Sequence, residues 1–380
     1  MSELYIGLMS GTSLDGVDGV LVDLATHAPG AVMPLVVLSH RHRTFDAVLA
    51  DELLALNTSG TDELHRAALA GNALARVYAD VVESLLDASG TTRGSVRAIG
   101  AHGQTVRHRP REFDATGYTL QLGNPALLAE LSGIDVVADL RSRDVAAGGL
   151  GAPLVPAFHR AMFAQEGKTI AVLNIGGMAN LTALHADATT TGFDCGPGNA
   201  LMDHWCRQHT GQLFDDAGAW AASGTVLAPL LTLMLEDPFF RLPPPKSTGR
   251  DLFNGAWLAG QLQQLPSTRA ARPQDVQATL AELTATTCAQ AVREHAADAQ
   301  ELLVGGGGAL NPHLLRRLEV RLDGRGTPVM TTGARGLPAM QVEACAFAWL
   351  ARAFCHRARA NLPAVTGAAG PRLLGALWPA

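Results

Sequence analysis

Short apolar runs that stop at glycine-rich turns organise this chain. Residues 4–8 are apolar and run into Met9-Ser10-Gly11-Thr12-Ser13-Leu14-Asp15-Gly16-Val17-Asp18-Gly19, after which 20–24 is apolar again. Two strand-like runs either side of a Gly/Ser/Thr/Asp turn predict a β-hairpin. Residues 33–38 predict a third strand. Over 62–86, Leu64, Ala68, Ala75, Val81, Val82, Leu85 and Leu86 recur among polar residues, the pattern of a long amphipathic helix. Thr61 or Asp62 is positioned to cap it, and Gly90 follows its end. Strands are predicted at 96–100, leading into Ala101-His102-Gly103-Gln104, and at 134–138, with a polar exit over 139–144.

The pattern then repeats. Residues 169–184 read as strand, glycine turn and strand, with Gly176-Gly177 between the runs. Gly192-Phe193-Asp194-Cys195-Gly196-Pro197-Gly198-Asn199 leads into a helix over about 200–209. Residues 301–304 are an apolar strand that meets Gly305-Gly306-Gly307-Gly308, and a helix begins near Asn311-Pro312, where proline suits the first turn. Further helices are expected over 274–294 and 341–357. Residues 217–224 read as a small-residue loop and 225–235 as a buried helix; together they hold 19 residues without a charge, interrupted by Ser223, Gly224, Thr225 and Pro229. A membrane span needs about 20 predominantly apolar residues. The repeat predicts an internal duplication: two mixed α/β domains facing each other across a cleft. The expected division is 1–140 plus about 341–380 for the first domain and about 141–340 for the second.

Composition narrows the function classes. The chain has 380 residues, with 29 Lys and Arg against 35 Asp and Glu for a formal net charge of −6. That balance gives no support to a nucleic-acid binder, whose footprint is strongly basic. A hydrophobic fraction of 47% rules out disorder throughout. Glycine is abundant, 40 residues in all, which suits turns that approach a ligand closely. The five cysteines, 195, 206, 288, 345 and 355, form no CxxC pair, so neither a disulfide scaffold nor a cysteine zinc site is indicated. The N-terminus lacks the basic-then-apolar pattern of a signal peptide, and the cytoplasm is the default location.

Several residues have the chemistry for a site. The turn from Gly11 to Gly16 is not a P-loop, since it lacks GxxxxGK[ST] and no helix follows directly. A hairpin turn still presents backbone N–H groups and hydroxyls to an anion. Asp15 or Asp18 suits Mg²⁺, which favours oxygen ligands and substrate phosphates. The same residues would equally make a tight turn that satisfies itself. Four consecutive glycines at 305–308 admit a flat or charged group, or simply form a flexible turn. Asp194 follows an apolar run and precedes a rigid turn, a place for a general base or for a cap. His102 and Gln104 fit ligand binding or a hydrogen-bonded structural role. Arg141, with Arg143 and Asp144 before Gly148-Gly149, suits a carboxylate ligand or a surface salt-bridged corner. Pro243-Pro244-Pro245-Lys246-Ser247-Thr248-Gly249-Arg250 reads as a ligand-facing loop or an interdomain linker.

Taken together, these residues resemble one family. MSGTSLDGVDG at 9–19, GAHGQTVRH at 100–108, NIGGMANLT at 174–182, GFDCGPGNALMD at 192–203, PPKSTGRDLFN at 244–254, GGGGALNP at 305–312 and VEACAFAWLA at 342–351 are similar to anhydro-N-acetylmuramic acid kinases, in order along essentially the whole chain. The resemblance implies an α/β fold of duplicated ribonuclease H-like domains, of the actin, hexokinase and Hsp70 kind, flanking a nucleotide cleft. It implies ATP and Mg²⁺ as cofactors and 1,6-anhydro-N-acetylmuramic acid as substrate, in peptidoglycan recycling. It also implies a cytoplasmic homodimer with no nucleic-acid or membrane partner. Carried over residue by residue, Asp194 is the catalytic base. Gly11, Thr12, Ser13, Leu14, Asp15, Gly16, Val17 and Asp18 hold ATP phosphates, with Asp15 and Asp18 toward the metal. Gly176, Gly305, Gly306, Gly307 and Asn311 lie on the nucleotide, and His102, Gln104, Arg141 and Glu343 on the sugar. One departure is Met340, three residues before Glu343, where the family pattern leads one to expect Asp. The alternatives are another sugar kinase of the same fold, or a non-kinase ATP-dependent binding or chaperone protein.

Overall fold

A computed structural model describes the chain except for residues 1, 12, 26–34, 266–269 and 323–325. The described chain divides into two compact units, Met1–Phe163 with Gln341–Ala380, and Ala164–Met340.

In the first unit the strands are β1 (Leu4–Met9), β2 (Gly16–Leu24), β3 (Leu35–Thr44), β4 (Val96–Ala101), β5 (Gln104–Pro110), β6 (Gly117–Leu122) and β7 (Val136–Ala138). The second unit contributes β8 (Ile170–Ile175), β9 (Met178–Leu184), β10 (Thr190–Pro197), β11 (Glu301–Gly305) and β12 (Val329–Thr331). The last strand, β13 (Ala376–Trp378), returns to the first unit and pairs with β7. The first sheet runs β13-β7-β4-β1-β2-β3 and the second β10-β9-β8-β11-β12, while β5 and β6 form a separate ribbon. In each large sheet the first strand of the unit pairs antiparallel with the second and the second with the third. The first also pairs parallel with a later strand, and that one with the next. The two sheets therefore share strand order and strand direction from β3 to β7 and from β10 to β12.

Position in the sheet explains composition. β8 lies between β9 and β11, and all six of its residues are buried, five of them apolar and Asn174 polar, as in a central strand covered on both faces. β3 is an edge, and it carries His40, Arg41, His42 and Arg43 outward, charges and polar groups that discourage further pairing. The long helix Glu63–Ser89 buries Leu74, Ala75, Tyr78, Val82 and Leu85 on one face, as its periodicity predicts. Asp62 stands at its N-cap position but in a left-handed conformation without a side-chain cap bond, while Gly90 closes the C-terminus. The helix Val342–Cys355 lies directly on β1 and β4, because a Cβ on Gly7 or Gly100 would collide with the backbone of Ala344 or Phe347. In the second unit the helix Pro273–His295 is buried along most of its length, with Val276, Leu280, Leu283, Cys288 and Val292 in the core.

Three expectations need correcting. The segment 141–163, expected in the second domain, belongs to the first unit. Asp144 is the reason: it is fully buried and accepts hydrogen bonds from Asn361 Nδ2 (2.6 Å), Thr366 Oγ1 (2.8 Å) and the Gly151 amide (2.8 Å). It is a clasp between the segment and the C-terminal residues and no surface corner. Phe158 of the helix Val155–Phe163 adds to it by packing on Trp349 with ring centroids 6.2 Å apart. Residues 217–224 are a helical turn rather than a loop, with Ala219–Ala222 helical and Asp215 accepting the amides of Trp220 and Ala221. The third strand begins at Leu35 and continues to Thr44; Met33 and Pro34 lie outside the described residues.

Candidate active site

In the first unit the Gly11–Gly16 turn joins β1 to β2 and is pinned from below. The Leu14 amide donates to Gly11 O (3.3 Å), and Gln104 Nε2 donates to the same oxygen (3.0 Å). Leu14 takes a φ of 58°, a left-handed conformation that a branched side chain adopts only when its surroundings demand it. Its side chain packs on the core, which supplies the demand. Ser13 Oγ donates to Asp15 Oδ1 at 2.6 Å, and Asp15 is exposed. Val17 is fully buried, so it can reach a ligand only through its backbone. Asp18 Oδ1 contacts His40 Nε2 (3.2 Å) and His42 Nδ1 (3.1 Å), and this pair holds its carboxyl below the ordinary range against the opposing effect of burial. Thr12 lies outside the described residues.

Beneath the turn runs a buried polar chain. Ser10 is fully buried; its Oγ donates to Gly103 O (2.9 Å) and lies 3.0 Å from Tyr78 Oη, which also accepts the Gly103 amide (3.1 Å). His102 Nδ1 faces the Ser10 carbonyl at 3.0 Å, and its Nε2 faces Arg141 Nη2 at 3.0 Å and Nε at 3.3 Å. Burial, and then the Arg141 charge, push the imidazole down to about 3, so it is neutral. Arg141 also donates from Nη1 to Gly151 O (2.8 Å). His102 thus acts on Arg141 as much as on any ligand. Gln104 is 1% exposed, and its Oε1 is buried without a protein partner, an acceptor left for a donor from elsewhere. Glu343 is in the first turn of the helix Val342–Cys355, where a negative charge is favoured.

A cavity of about 310 Å³ opens beside this chain, entirely within the first unit. Tyr78, His102, Gln121, Asn124, Asp139 and Trp378 are among its walls. Asp139, at the end of β7, has a φ of 52°, another strained residue at the rim.

In the second unit Asp194 is on β10, at 7% exposure. The pairing with β9 slips between Asp194 and Gly196, a bulge of the kind that re-aims a neighbouring side chain. Ser247 Oγ and the Thr248 amide each donate to Asp194 Oδ2 at 2.9 Å. The turn Gly176-Gly177, between β8 and β9, is tied to the start of the helix Ala200–Thr210. Gly176 O accepts the Asn199 amide (2.8 Å), and Gly177 O accepts those of Gly198 (2.9 Å) and Ala200 (3.1 Å). Gly305 ends β11, and Gly306 has a φ of 74°, with Asn174 Oδ1 and Ile175 O where a Cβ would stand, so only glycine fits. Gly307 opens a short 3₁₀ turn, and Asn311 caps the helix Pro312–Arg321 by accepting the Leu314 amide (2.9 Å).

The structure therefore gathers Gly11, Ser13, Leu14, Asp15, Gly16, Val17, Asp18, His102, Gln104 and Arg141 in one unit, with Glu343, and Asp194, Gly176, Gly305, Gly306, Gly307 and Asn311 in the other. The sequence reading passed over Ser10 and Tyr78 as site residues, and placed Ser247 and Thr248 in a candidate ligand-facing loop without linking them to Asp194. Ser10 lies inside the first glycine motif and was legible there; Tyr78 looks like any core residue of an amphipathic helix.

Glycine turns at strand ends, together with a buried, hydrogen-bonded carboxylate, are the parts of an α/β enzyme that handles phosphate. A model of the family described as Anhydro-N-acetylmuramic acid kinase matches residues 3–380. The chain is 60% identical over 383 residues to the Anhydro-N-acetylmuramic acid kinase of Variovorax paradoxus (strain S110), covering 100% of this chain and 99% of that one. It is 56% identical over 400 residues to the protein of the same name from Albidiferax ferrireducens, with 100% of each covered. Among solved structures it is similar to the activator of the 2-hydroxyisocaproyl-CoA dehydratase from Clostridium difficile, at a TM-score of 0.46 and 11% identity, over 92% of this chain and 93% of that one. The chain belongs to the anhydro-N-acetylmuramic acid kinase family. Its reaction is the ATP-dependent, hydrolytic opening of 1,6-anhydro-N-acetylmuramic acid with phosphorylation of O6, giving N-acetylmuramic acid 6-phosphate and ADP in peptidoglycan recycling.

Proposed function

We propose that Asp194 is the base of this reaction and that the Gly11–Asp18 turn receives the ATP phosphates. Asp194 takes a proton from a water molecule as that water attacks C1 of the anhydro sugar. The bond from C1 to the bridging oxygen breaks, and the departing O6 attacks the γ-phosphoryl group of ATP, releasing ADP. Ordinary glycoside hydrolysis needs a second carboxyl group to protonate the leaving oxygen. Here the phosphoryl group takes up that oxygen's charge, so one carboxylate suffices. The observation that carries the assignment is the setting of Asp194: buried, with one carboxylate oxygen fixed by the Ser247 hydroxyl and the Thr248 amide.

The other roles follow from their surroundings. The backbone of Gly11, Thr12, Ser13, Leu14, Gly16 and Val17 offers amides to the phosphates, with Gly176, Gly305, Gly306, Gly307 and Asn311 on the nucleotide. Asp15 suits Mg²⁺ directly, because it is exposed and a hard oxygen donor; Asp18, engaged on Oδ1 by two histidines, suits it through water. Among the described residues no group of three or more His, Cys, Asp or Glu is placed to hold a metal. When bound there, Mg²⁺ offsets charge on the transferring phosphoryl group. Gln104, with its orphaned oxygen, accepts a sugar hydroxyl, and Arg141, steadied by His102, meets the lactyl carboxylate. Glu343 lines the sugar site.

The matching strand orders support an internally duplicated, ribonuclease H-like pair of the actin, hexokinase and Hsp70 kind. Among the described residues no helix is long and apolar enough to cross a membrane. The cytoplasm, where ATP is supplied, is the proposed location, and a homodimer the proposed state. The decisive experiment is Asp194→Asn: we expect a normal circular dichroism spectrum and at least a thousandfold loss of kcat, on the order of what an essential base contributes. Near-wild-type turnover would overturn the assignment.

A further inference from the structure

We infer that the loop following Pro243-Pro244-Pro245 is a clamp on the reacting carboxylate, with Ser247 as a positioning residue for Asp194. The inference rests on Asp194 being the base. Three hydrogen bonds tie the loop to that one residue. The Asp194 amide donates to Lys246 O (3.1 Å), Ser247 Oγ donates to Asp194 Oδ2 (2.9 Å), and the Thr248 amide donates to the same oxygen (2.9 Å). The first bond docks the loop backbone on the edge of β10, the outermost strand of its sheet. The other two meet at one carboxylate oxygen. An aspartate carboxylate is otherwise broad about its terminal torsion; two donors on a single oxygen fix its plane.

The clamp is itself anchored. Lys246 Nζ donates to Phe239 O (3.2 Å) and Phe240 O (3.4 Å), the last residues before the proline run apart from Arg241 and Leu242. The same ammonium lies 4.7 Å from the centroid of the Phe239 ring and 5.7 Å from that of Phe193, the neighbour of Asp194. Three successive prolines restrict the chain that leads to it. Water attack on C1 needs the base in a narrow range of positions, and a displacement of about 1 Å costs up to a hundredfold in rate.

The test compares Ser247→Ala, Ser247→Thr and Asp194→Asn, with melting temperature and steady-state constants for both substrates. The expected result for Ser247→Ala is a kcat lower by about 10- to 100-fold, with KM for ATP and for the anhydro sugar within about threefold of wild type and an unchanged melting temperature. Ser247→Thr keeps a donor hydroxyl and is expected to recover kcat to within about fivefold. A Ser247→Ala enzyme with wild-type kcat overturns the clamp, as does a rise in KM matching the loss in kcat or a threonine variant no better than alanine. Asp194→Asn separates the two claims. If it is inert while Ser247→Ala is near normal, only the clamp falls; if it turns over normally, the base assignment falls and takes the clamp with it.

Discussion

His102 carries its proton on Nδ1. Arg141 has no acceptor, so the ring nitrogen facing it must accept; the other nitrogen faces the Ser10 carbonyl and must donate. One imidazole therefore holds both the strand that leads into the phosphate turn and the arginine assigned to the substrate carboxylate. Removing it should loosen substrate binding more than chemistry. His102→Ala is expected to raise KM for the anhydro sugar about tenfold, roughly the worth of one well-placed hydrogen bond, with a smaller change in kcat; steady-state kinetics with the sugar varied checks it. Because this histidine is held down at about 3, no limb of the activity profile between pH 5 and 9 belongs to it. Asp194 was legible as a candidate, base or cap, from its place between an apolar run and a glycine-proline turn. Its two donors were not, since Ser247 and Thr248 stand 53 and 54 positions away and only the folded sheet edge brings them in. Nor did the sequence disclose that Asp144 is a buried clasp, because its partners Asn361 and Thr366 are more than two hundred positions distant.

Elements with a strong period were readable. The helices Glu63–Ser89 and Pro273–His295 and the two strand-turn-strand units lie where their apolar spacing places them. The ribbon β5–β6 was not: Arg107, His108 and Arg109 are consecutive polar residues in β5, its bulge between Thr105 and Arg107 shifts the register, and the alternation over 118–122 points the wrong way, with Thr119 buried and Leu120 exposed. The helix Pro273–His295 also hides a charge that periodicity marks as exposed: Glu282 is fully buried and paired with Arg317, at 2.5 Å, and with Arg321 from the helix Pro312–Arg321. Burial is the largest single effect and raises its carboxyl, but the hydrogen bonds and charges of the two arginines together outweigh it and hold the carboxyl below the ordinary value of 4.5. A carboxylate depressed in the folded state stabilises above its unfolded value, and that stability is lost as pH falls through the lower folded value. Arg317→Ala leaves the buried charge with one partner and is expected to destabilise the second unit by about 2 kcal/mol, somewhat less than stripping a buried ion of its sole partner. Urea denaturation at neutral pH measures it; a change under 0.5 kcal/mol would mean that Arg321 alone suffices.

At the scale of the whole molecule, three buried histidines make the first unit sensitive to acid. His102 and His159 are pushed down to about 3 and His108 to about 4, chiefly by burial. Each is neutral when folded and binds a proton when unfolded below its ordinary 6.5, so the unfolded chain gains protons first and stability falls as pH drops from 6.5 toward 4. The loss is about 1.4 kcal/mol per pH unit for each histidine over that range. Calorimetry from pH 7 to 4.5 should show the melting temperature falling; a flat profile would contradict the buried, neutral assignment. The most direct measurement of the central claim is the reaction run in ¹⁸O-water with ATP, Mg²⁺ and 1,6-anhydro-N-acetylmuramic acid, read by mass spectrometry with fragmentation. The account predicts a product heavier by one water and one phosphoryl group, with the label at C1. Label in the phosphoryl group instead would show that water attacked phosphorus, and the mechanism built on Asp194 would be wrong.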